Sequence, residues 1–502
     1  MFHAMSVSTH SPLELLHPHA TTRIAETIGS DCPFKLQLRH ESLSRELRDL
    51  IVFAPSASEC REPRWLHENV GYMASVLAPS GIIYSLVPPR WRTTTAHLLR
   101  KNHVKVGPSY LHLPNRAVNR HLVQLPDRSA WKTPGPAVHM QPVSRIAFSA
   151  LLRTPSGVPI LRHVLPSVGF TAGSHIETSP MWVNEIAERC GHPKLALRSM
   201  DTGWKQRSQS MVIELVTKAS QQPAIIAKVG MTDKLKIVRR REQRNIEGLG
   251  ASARLAGAFV PDGTLVPISA SFEALCLTVA PGHPAAHLLE SGSVDPGVVM
   301  AVVSRWLESW NQLTRTDQPL HPDYLQDEVL GPLERLASRL ERGDSYYGHM
   351  ARLCDGVAGT TAPHVATHND LTMANVLICA DGGLSVVDWE AAKPATLPLL
   401  DYYYAFVDAF VASDRNQDRL QAFLSSVVRP TERSIVFHSR VRRLSQALNL
   451  SADVVRLAFH ACWIGHAANE LRHHQVGEDE PFGDILNAIA CDPILIENRL
   501  GV

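Results

Sequence analysis

HVATHNDLTMANVLICADGGLSVVDWEAAKPATLPLLD, from His364 to Asp401, is the stretch on which the reading of this chain turns. It sets Asp370 two residues after His368 and Asn375 five residues after Asp370, and a second aspartate, Asp388, closes an apolar run. VLICA (Val376 to Ala380) and LSVVDW (Leu384 to Trp389) read as short strands. Asp381-Gly382-Gly383 joins them, a strong hairpin signal. A hairpin here fixes Asn375 at the start of one strand and Asp388 at the end of its partner. Antiparallel pairing makes those two ends neighbours, so Asp370, Asn375 and Asp388 are expected to converge.

Such a convergence suits phosphoryl transfer. That chemistry needs a carboxylate to position and deprotonate the acceptor hydroxyl, and oxygen ligands for Mg²⁺ to neutralise charge on the phosphates. Asp370 is the candidate base, and Asn375 and Asp388 are the candidate metal ligands. The segment resembles the protein kinase catalytic loop, and more closely that of the aminoglycoside phosphotransferase and choline kinase-like family. There the loop reads His-Gly-Asp with an Asn five residues on, and the second Asp stands in Asp-Trp-Glu. This chain has His368-Asn369-Asp370, Asn375 and Asp388-Trp389-Glu390. Asn369 replaces the usual Gly and Thr372 a frequent His. The resemblance spans about residues 174–502 and implies an α+β, bilobal protein kinase-like fold. It also implies ATP (or GTP) and Mg²⁺ as cofactors and a small-molecule hydroxyl as acceptor. By the same resemblance His368 is a structural support of the loop, and Asp401, in Pro-Leu-Leu-Asp, braces it from below.

At 502 residues the chain exceeds what one core organises, so two or three domains are expected. Apolar content of 44% and charged content of 20% are ordinary for a globular protein. A formal net charge of +2 gives no argument for nucleic acid or acidic lipid as a partner. No run approaches the roughly 18 apolar residues that span a bilayer. The first residues lack a basic region followed by an apolar core, so no signal peptide is expected. Eight cysteines without CxxC spacing argue against a zinc ribbon or a disulfide framework, which makes a reducing cytoplasm the default.

Residues 1–30, rich in Ser, Thr, His and Pro, read as a mobile tail. A small α/β domain is expected over 31–169. LRDLIVFAP (Leu47 to Pro55) is a strand, NVGYMASVLAP a helix and SGIIYSLVP (Ser80 to Pro88) a second strand, which suggests a parallel pair. LAPSGIIYSLVPPRWR is loosely similar to the late strand region of Rossmann-like methyltransferases. The glycine-rich loop that would hold S-adenosylmethionine is missing, because LIVFAPSASE offers Pro and Ser. A degenerate scaffold, or an interaction domain that meets a protein partner, is the expectation for this part.

The kinase-like small lobe is expected over 174–282. MWVNEIAERCG reads as a helix ended by Gly191, and SMVIELVTKA and QPAIIAKVG as two strands, the second carrying Lys228. A long helix, KLKIVRRREQRNIEGLGASARLAG, follows. The resemblance assigns Lys228 to the nucleotide phosphates and a helix glutamate to hold it. Glu242 is preferred over Glu247 because its spacing to Ile246 and Leu249 keeps an apolar face inward. DTGWKQRSQS offers Thr202, Gly203, Ser208 and Ser210 as the phosphate-covering loop. EALCLTVAPGHPAAHLL matches the hinge, with Leu277, Thr278, Val279 and Ala280 presenting backbone to adenine.

The large helical lobe is expected over 283–502. VVMAVVSRWLESWNQL sets Trp306 and Trp310 one turn apart, in the core. DYLQDEVLGPLERLASRLERG reads as one amphipathic helix; three helical runs follow the hairpin, and the resemblance implies that they wall the acceptor. His364 and His368 stand four apart, but Val365, Ala366 and Thr367 lie between them in place of the Glu of a zinc protease helix, and the segment leads into a β-hairpin. The remaining histidines, His473 and His474 included, show no ligand spacing. The competing expectation is a catalytically silent nucleotide-binding or scaffolding protein of the same fold.

Overall fold

The structure is a computed structural model. It describes residues 3–7, 25–28, 38–40, 48–53, 59–87, 91–114, 120–124, 168–173, 181–192, 194–202, 210–220, 222–230, 232–268, 272–414, 417–473 and 481–500. The architecture is α+β. Two compact units form, one from 1–240 with 263–279, the other from 241–262 with 280–502.

The first unit holds a 13-stranded sheet in which strands from both the expected α/β domain and the expected small lobe take part. At one end Arg48–Phe53 pairs in parallel with Leu77–Val87, with Leu50 opposite Ile82, and helix Pro63–Val76 makes the crossover. The parallel pair is as expected. The boundary is not: Leu77, Ala78 and Pro79 belong to the strand, since a proline that far into a helix would remove a backbone donor and clash with the preceding turn. Leu66, Val70 and Met73 of the helix bury against Phe53, Ile83 and Val87.

At the other end the order is Gly263–Pro267, Glu273–Thr278, Pro223–Gly230, Ser210–Thr217, Leu195–Thr202. Helix Met181–Arg189 lays Trp182, Val183 and Ile186 on its buried face, against Ile213, Leu215, Ile225 and Ala227. That helix stops at Gly191, whose φ of 71° suits only a residue without Cβ strain. The N–H of His192 closes the turn on the Ala187 carbonyl at 2.7 Å.

The second unit is mainly helical. Its core is aromatic, with Trp310, Trp389, Tyr346, Tyr402, Tyr403, Phe406, Phe423 and Trp463 all below 2% exposure. Trp306 and Trp310 stack with ring centroids 4.7 Å apart, so both are core residues. Asp295 caps helix Pro296–Thr314 through the N–H of Gly297, and Thr431 with Ser434 forms a capping box on Glu432–Leu448. The expected single helix from Asp323 onward carries a wider turn and ends early. A π-turn covers Gln326–Leu330, and the helix Gly331–Ala337 ends before Ser338. Pro332 has no N–H to give, and Gly331 reaches the Gln326 carbonyl five residues back, so the backbone takes the wider turn there. Among the described residues, no helix is long and apolar enough to cross a membrane.

Candidate active site

The site is built on the four-stranded sheet of the second unit, ordered Ala258–Phe259, Leu384–Val386, Val376–Ile378, His283–Pro284. The central hairpin is the one expected, in register Val376 to Val386, Leu377 to Ser385 and Ile378 to Leu384. The Val387 N–H donates to the Asn375 carbonyl at 3.0 Å, so the strand ends carrying Asn375 and Asp388 do meet. Both strands are shorter than expected and stop before Ala380 and Asp388. Pro281 and Gly282 lie on this hairpin. Ser385 donates to the Pro281 carbonyl at 2.7 Å, and a Cβ on Gly282 would stand 2.8 Å from the Ile378 carbonyl oxygen.

The loop before the hairpin is held from behind. Asp401, in the first turn of helix Leu400–Ser413, accepts the backbone N–H of His368 on Oδ2 at 2.7 Å and that of Asn369 on Oδ1 at 2.8 Å. Burial pushes the Asp401 carboxyl up to about 6, while the two amide donors pull the other way. His368 is fully buried. Its Nε2 lies 3.0 Å from the Val387 carbonyl and its ring meets Trp389 edge-on at 5.1 Å. The indole N–H of Trp389 donates to Val386 at 3.0 Å, and its ring packs edge-on against Trp310. Loop and hairpin thus share one aromatic anchor.

Asn369 and Asp388 both have left-handed backbone, φ 62° and 67°. Asn and Asp are the non-glycine residues that bear this conformation best, because short polar side chains bond locally. The Asn at 369, where the resembling family has Gly, is therefore a compatible exchange.

Asn375 donates from Nδ2 to the Asp370 carbonyl at 2.9 Å and to Asp370 Oδ2 at 3.1 Å, which orients that carboxyl. Burial first, then the carboxylates of Asp388, Asp408 and Glu390, push the Asp370 carboxyl up to about 7, against the pull of Asn375. Carboxylate oxygens of Asp388, Glu390 and Glu242 lie within 4.8 Å of one another. All the donors here are oxygens, counting the Asn375 amide oxygen left by its Nδ2 bonds, and that set fits a hard divalent cation such as Mg²⁺.

Glu242 is buried on helix Asp233–Leu255 together with Ile246 and Leu249, whereas Glu247 is exposed and accepts from Gln243. Its carboxylate joins the Asp388 and Glu390 cluster, a placement the sequence reading had not foreseen. Lys228 sits in an interior strand, opposite Val212 and Leu275, so it is no edge-strand lysine. Leu277 and Thr278 end the strand Glu273–Thr278, and Val279 and Ala280 follow it, all buried or half-buried. Thr202 and Ser210 end and start their strands, with Thr202 opposite Met211. Gly203 and Ser208 lie outside the described residues.

Three residues of the site were missed. Asp408 accepts the Met373 N–H at 2.7 Å and takes an Arg419 guanidinium bond at 2.8 Å. It stands seven residues after Asp401 on one helix, two turns along the same face, which is a readable signal. Asn245 donates to the carbonyls of Trp389 at 2.8 Å and Ala392 at 3.1 Å, across more than 140 residues of sequence, and nothing local announces it. Glu390 was read only as part of the Asp-Trp-Glu motif.

No family model matches the chain, and no curated protein does. Solved structures similar to it include the aminoglycoside phosphotransferase APH(3'')-Id of Streptomyces rimosus, in complex with ADP and streptomycin. That likeness has 13% identity over 51% of this chain and 90% of the other, at a TM-score of 0.33. Macrolide 2'-phosphotransferase MphH of Brachybacterium faecium is similar at 16% identity over 62% and 99%, TM-score 0.37. A thermostable mutant of aminoglycoside phosphotransferase APH(4)-Ia, bound to ADP and hygromycin B, is similar at 13% identity over 63% and 98%, TM-score 0.37. At these identities and TM-scores the likeness carries neither a residue role nor an activity to this chain.

Proposed function

We propose that the chain is a phosphotransferase of the protein kinase-like fold, which passes the γ-phosphate of ATP (or GTP), with Mg²⁺, to a hydroxyl of a small molecule. The observation that supports this reading is the meeting of Asp370, Asn375 and Asp388 at one end of the hairpin, with Glu242 and Glu390 beside Asp388. Asp370 receives the acceptor hydroxyl's proton. Burial raises the proton affinity of that carboxyl above the ordinary aspartate value, which favours it as a proton acceptor. Asn375 keeps the Asp370 carboxyl turned to one orientation. His368 and Asp401 hold the loop backbone, so that Asp370 does not wander when the acceptor arrives. Asp388 and Asn375 would hold Mg²⁺, with Glu390 and Glu242 adding negative charge. When bound, that ion neutralises charge on the phosphates. The nucleotide assignments of Lys228, of Glu242 as the residue that holds it, of Thr202, Gly203, Ser208 and Ser210, and of the Leu277 to Ala280 backbone belong to this proposal as expected from the sequence.

A thermal-shift titration with ATP, with and without Mg²⁺, on wild type and Asp388→Ala tests it. Ligand at about 100 times its dissociation constant stabilises by about 2.7 kcal/mol, a rise of a few degrees at this size. The expected result is a Mg²⁺-dependent rise in the wild type that Asp388→Ala loses, followed by ATP turnover with acceptor alcohols. No shift in the folded wild type would turn the reading to a silent scaffold.

A further inference from the structure

Away from the hairpin, three helices of the second unit bring together His349, His460 and Glu497. His349 is on Gly343–Val357, His460 on Ala452–His473 and Glu497 on Pro493–Leu500. His349 Nε2 lies 2.6 Å from Glu497 Oε1, and His460 Nε2 lies 2.9 Å from the same oxygen. One ligand atom from each of the three falls within a 4.8 Å circle. We propose that this His₂Glu cluster is a binding site for a transition-metal ion of the zinc class, which staples the C-terminal helix to the two helices behind it.

The donor chemistry selects the metal. Two imidazole nitrogens and one carboxylate oxygen suit Zn²⁺ and its borderline neighbours, and do not suit Mg²⁺ or Ca²⁺, which take oxygen ligands. Around zinc, ligand atoms at about 2.0–2.2 Å from the ion stand about 3.3 Å from one another. The hydrogen-bonded separations here are 2.6 and 2.9 Å, so side-chain shifts below about 1 Å open the place for the ion.

The surroundings fit as well. His460 is fully buried and its Nδ1 lies 2.8 Å from the phenol oxygen of Tyr346, itself buried. That is the outer partner a ligating histidine needs, since it sets the tautomer and the ring plane. With Nε2 on the metal, Nδ1–H donates to Tyr346. In the metal-free arrangement Nε2–H donates to Glu497 and Tyr346 donates to Nδ1. Both imidazole Nε2 atoms converge on one carboxylate oxygen, so Glu497 Oε1 already faces the two nitrogens as the third ligand. Arg456 Nε stands 4.0 Å from Glu497 Oε2 and leaves Oε1 to the two imidazoles. His349 and Glu497 retain 18% and 12% of their side-chain exposure, which leaves water a route to a fourth position.

The cluster escaped the sequence reading because its members lie 111 and 37 residues apart and share no local motif.

The test is a Zn²⁺ titration of the full chain after chelation, followed by calorimetry and thermal shift without nucleotide. Co²⁺ serves as a spectroscopic stand-in that separates nitrogen and oxygen ligation from thiolate. The expected result is one Zn²⁺ bound with a rise in melting temperature, and a Co²⁺ spectrum without thiolate character. Tyr346→Phe should weaken binding by about 10–100-fold, and His349→Gln and Glu497→Gln by more. Asp388→Ala should bind Zn²⁺ here as the wild type does, so this site and the phosphotransferase reading succeed or fail separately. His349→Gln alters the cluster at its exposed rim, and circular dichroism establishes that it folds. A folded wild type that binds no Zn²⁺, or equal binding by folded His349→Gln and Glu497→Gln, would overturn the proposal and leave a hydrogen-bonded pin.

Discussion

Asp401 holds the backbone amides of His368 and Asn369 with its two carboxylate oxygens, at 2.7 and 2.8 Å, from the first turn of the following helix. One buried side chain thereby sets the path of the loop that carries Asp370. Asp401→Ala leaves two buried N–H groups without acceptors and should cost about 2–5 kcal/mol. Chemical denaturation measures it, and a loss below 1 kcal/mol would mean that the loop is held by something else.

The same carboxyl gives a pH dependence with a defined sign. Its folded-state pKa of about 6 lies above the ordinary aspartate value, so the stability it contributes is full below about pH 4 and is lost as pH rises towards 6. Asp401→Asn cannot lose that proton. The stability difference between wild type and Asp401→Asn should therefore move in favour of the variant by about 2–3 kcal/mol from pH 4 to pH 7. Denaturation curves at both pH values decide it; movement in favour of the wild type would show that the amide donors outweigh burial.

Asn369 tests the left-handed loop. At φ 62°, Asn369→Gly should be nearly neutral, whereas Asn369→Val should lose about 1–2 kcal/mol from backbone strain. Equal melting temperatures for the two variants would contradict the conformation described.

Asp408 and Arg419 form a largely buried ion pair, 2.8 Å apart, and Asp408 also holds the Met373 amide. Asp408→Ala strands a buried guanidinium and should destabilise by about 3–5 kcal/mol. The double variant with Arg419→Met should recover part of that loss, because no charge then remains unpaired. A double-mutant cycle reads the coupling, and strict additivity would rule it out.

The Gly282 substitution probes the hairpin's neighbour. At φ 103°, with the Ile378 carbonyl where a methyl would go, Gly282→Ala should cost more than about 1 kcal/mol. Calorimetry checks this, and a neutral substitution would mean that Pro281 and Gly282 do not pack on the hairpin.

Much of the central site was legible in the amino-acid order, since its signals are local. The Asp381-Gly382-Gly383 turn between two apolar runs specifies a hairpin, and the hairpin by itself brings Asn375 to Asp388. Helical periodicity told Glu242 from Glu247, because a 3.6-residue repeat allows only one of them to share the buried face of Ile246 and Leu249. Pro332 also stands in plain view, and its missing N–H opens the wider turn that a long amphipathic pattern conceals.

What only the tertiary structure decided is where side chains far apart in sequence meet. Asn245 on Trp389, Asp408 on Met373, the Glu242 carboxylate beside Asp388, and His349 with His460 on Glu497 all depend on how helices pack. Turn and strand preferences act over a few residues, so the order of residues alone determined the hairpin. A helix's partner is chosen by burial summed over whole faces, which no short segment encodes, and that sum placed everything around the hairpin.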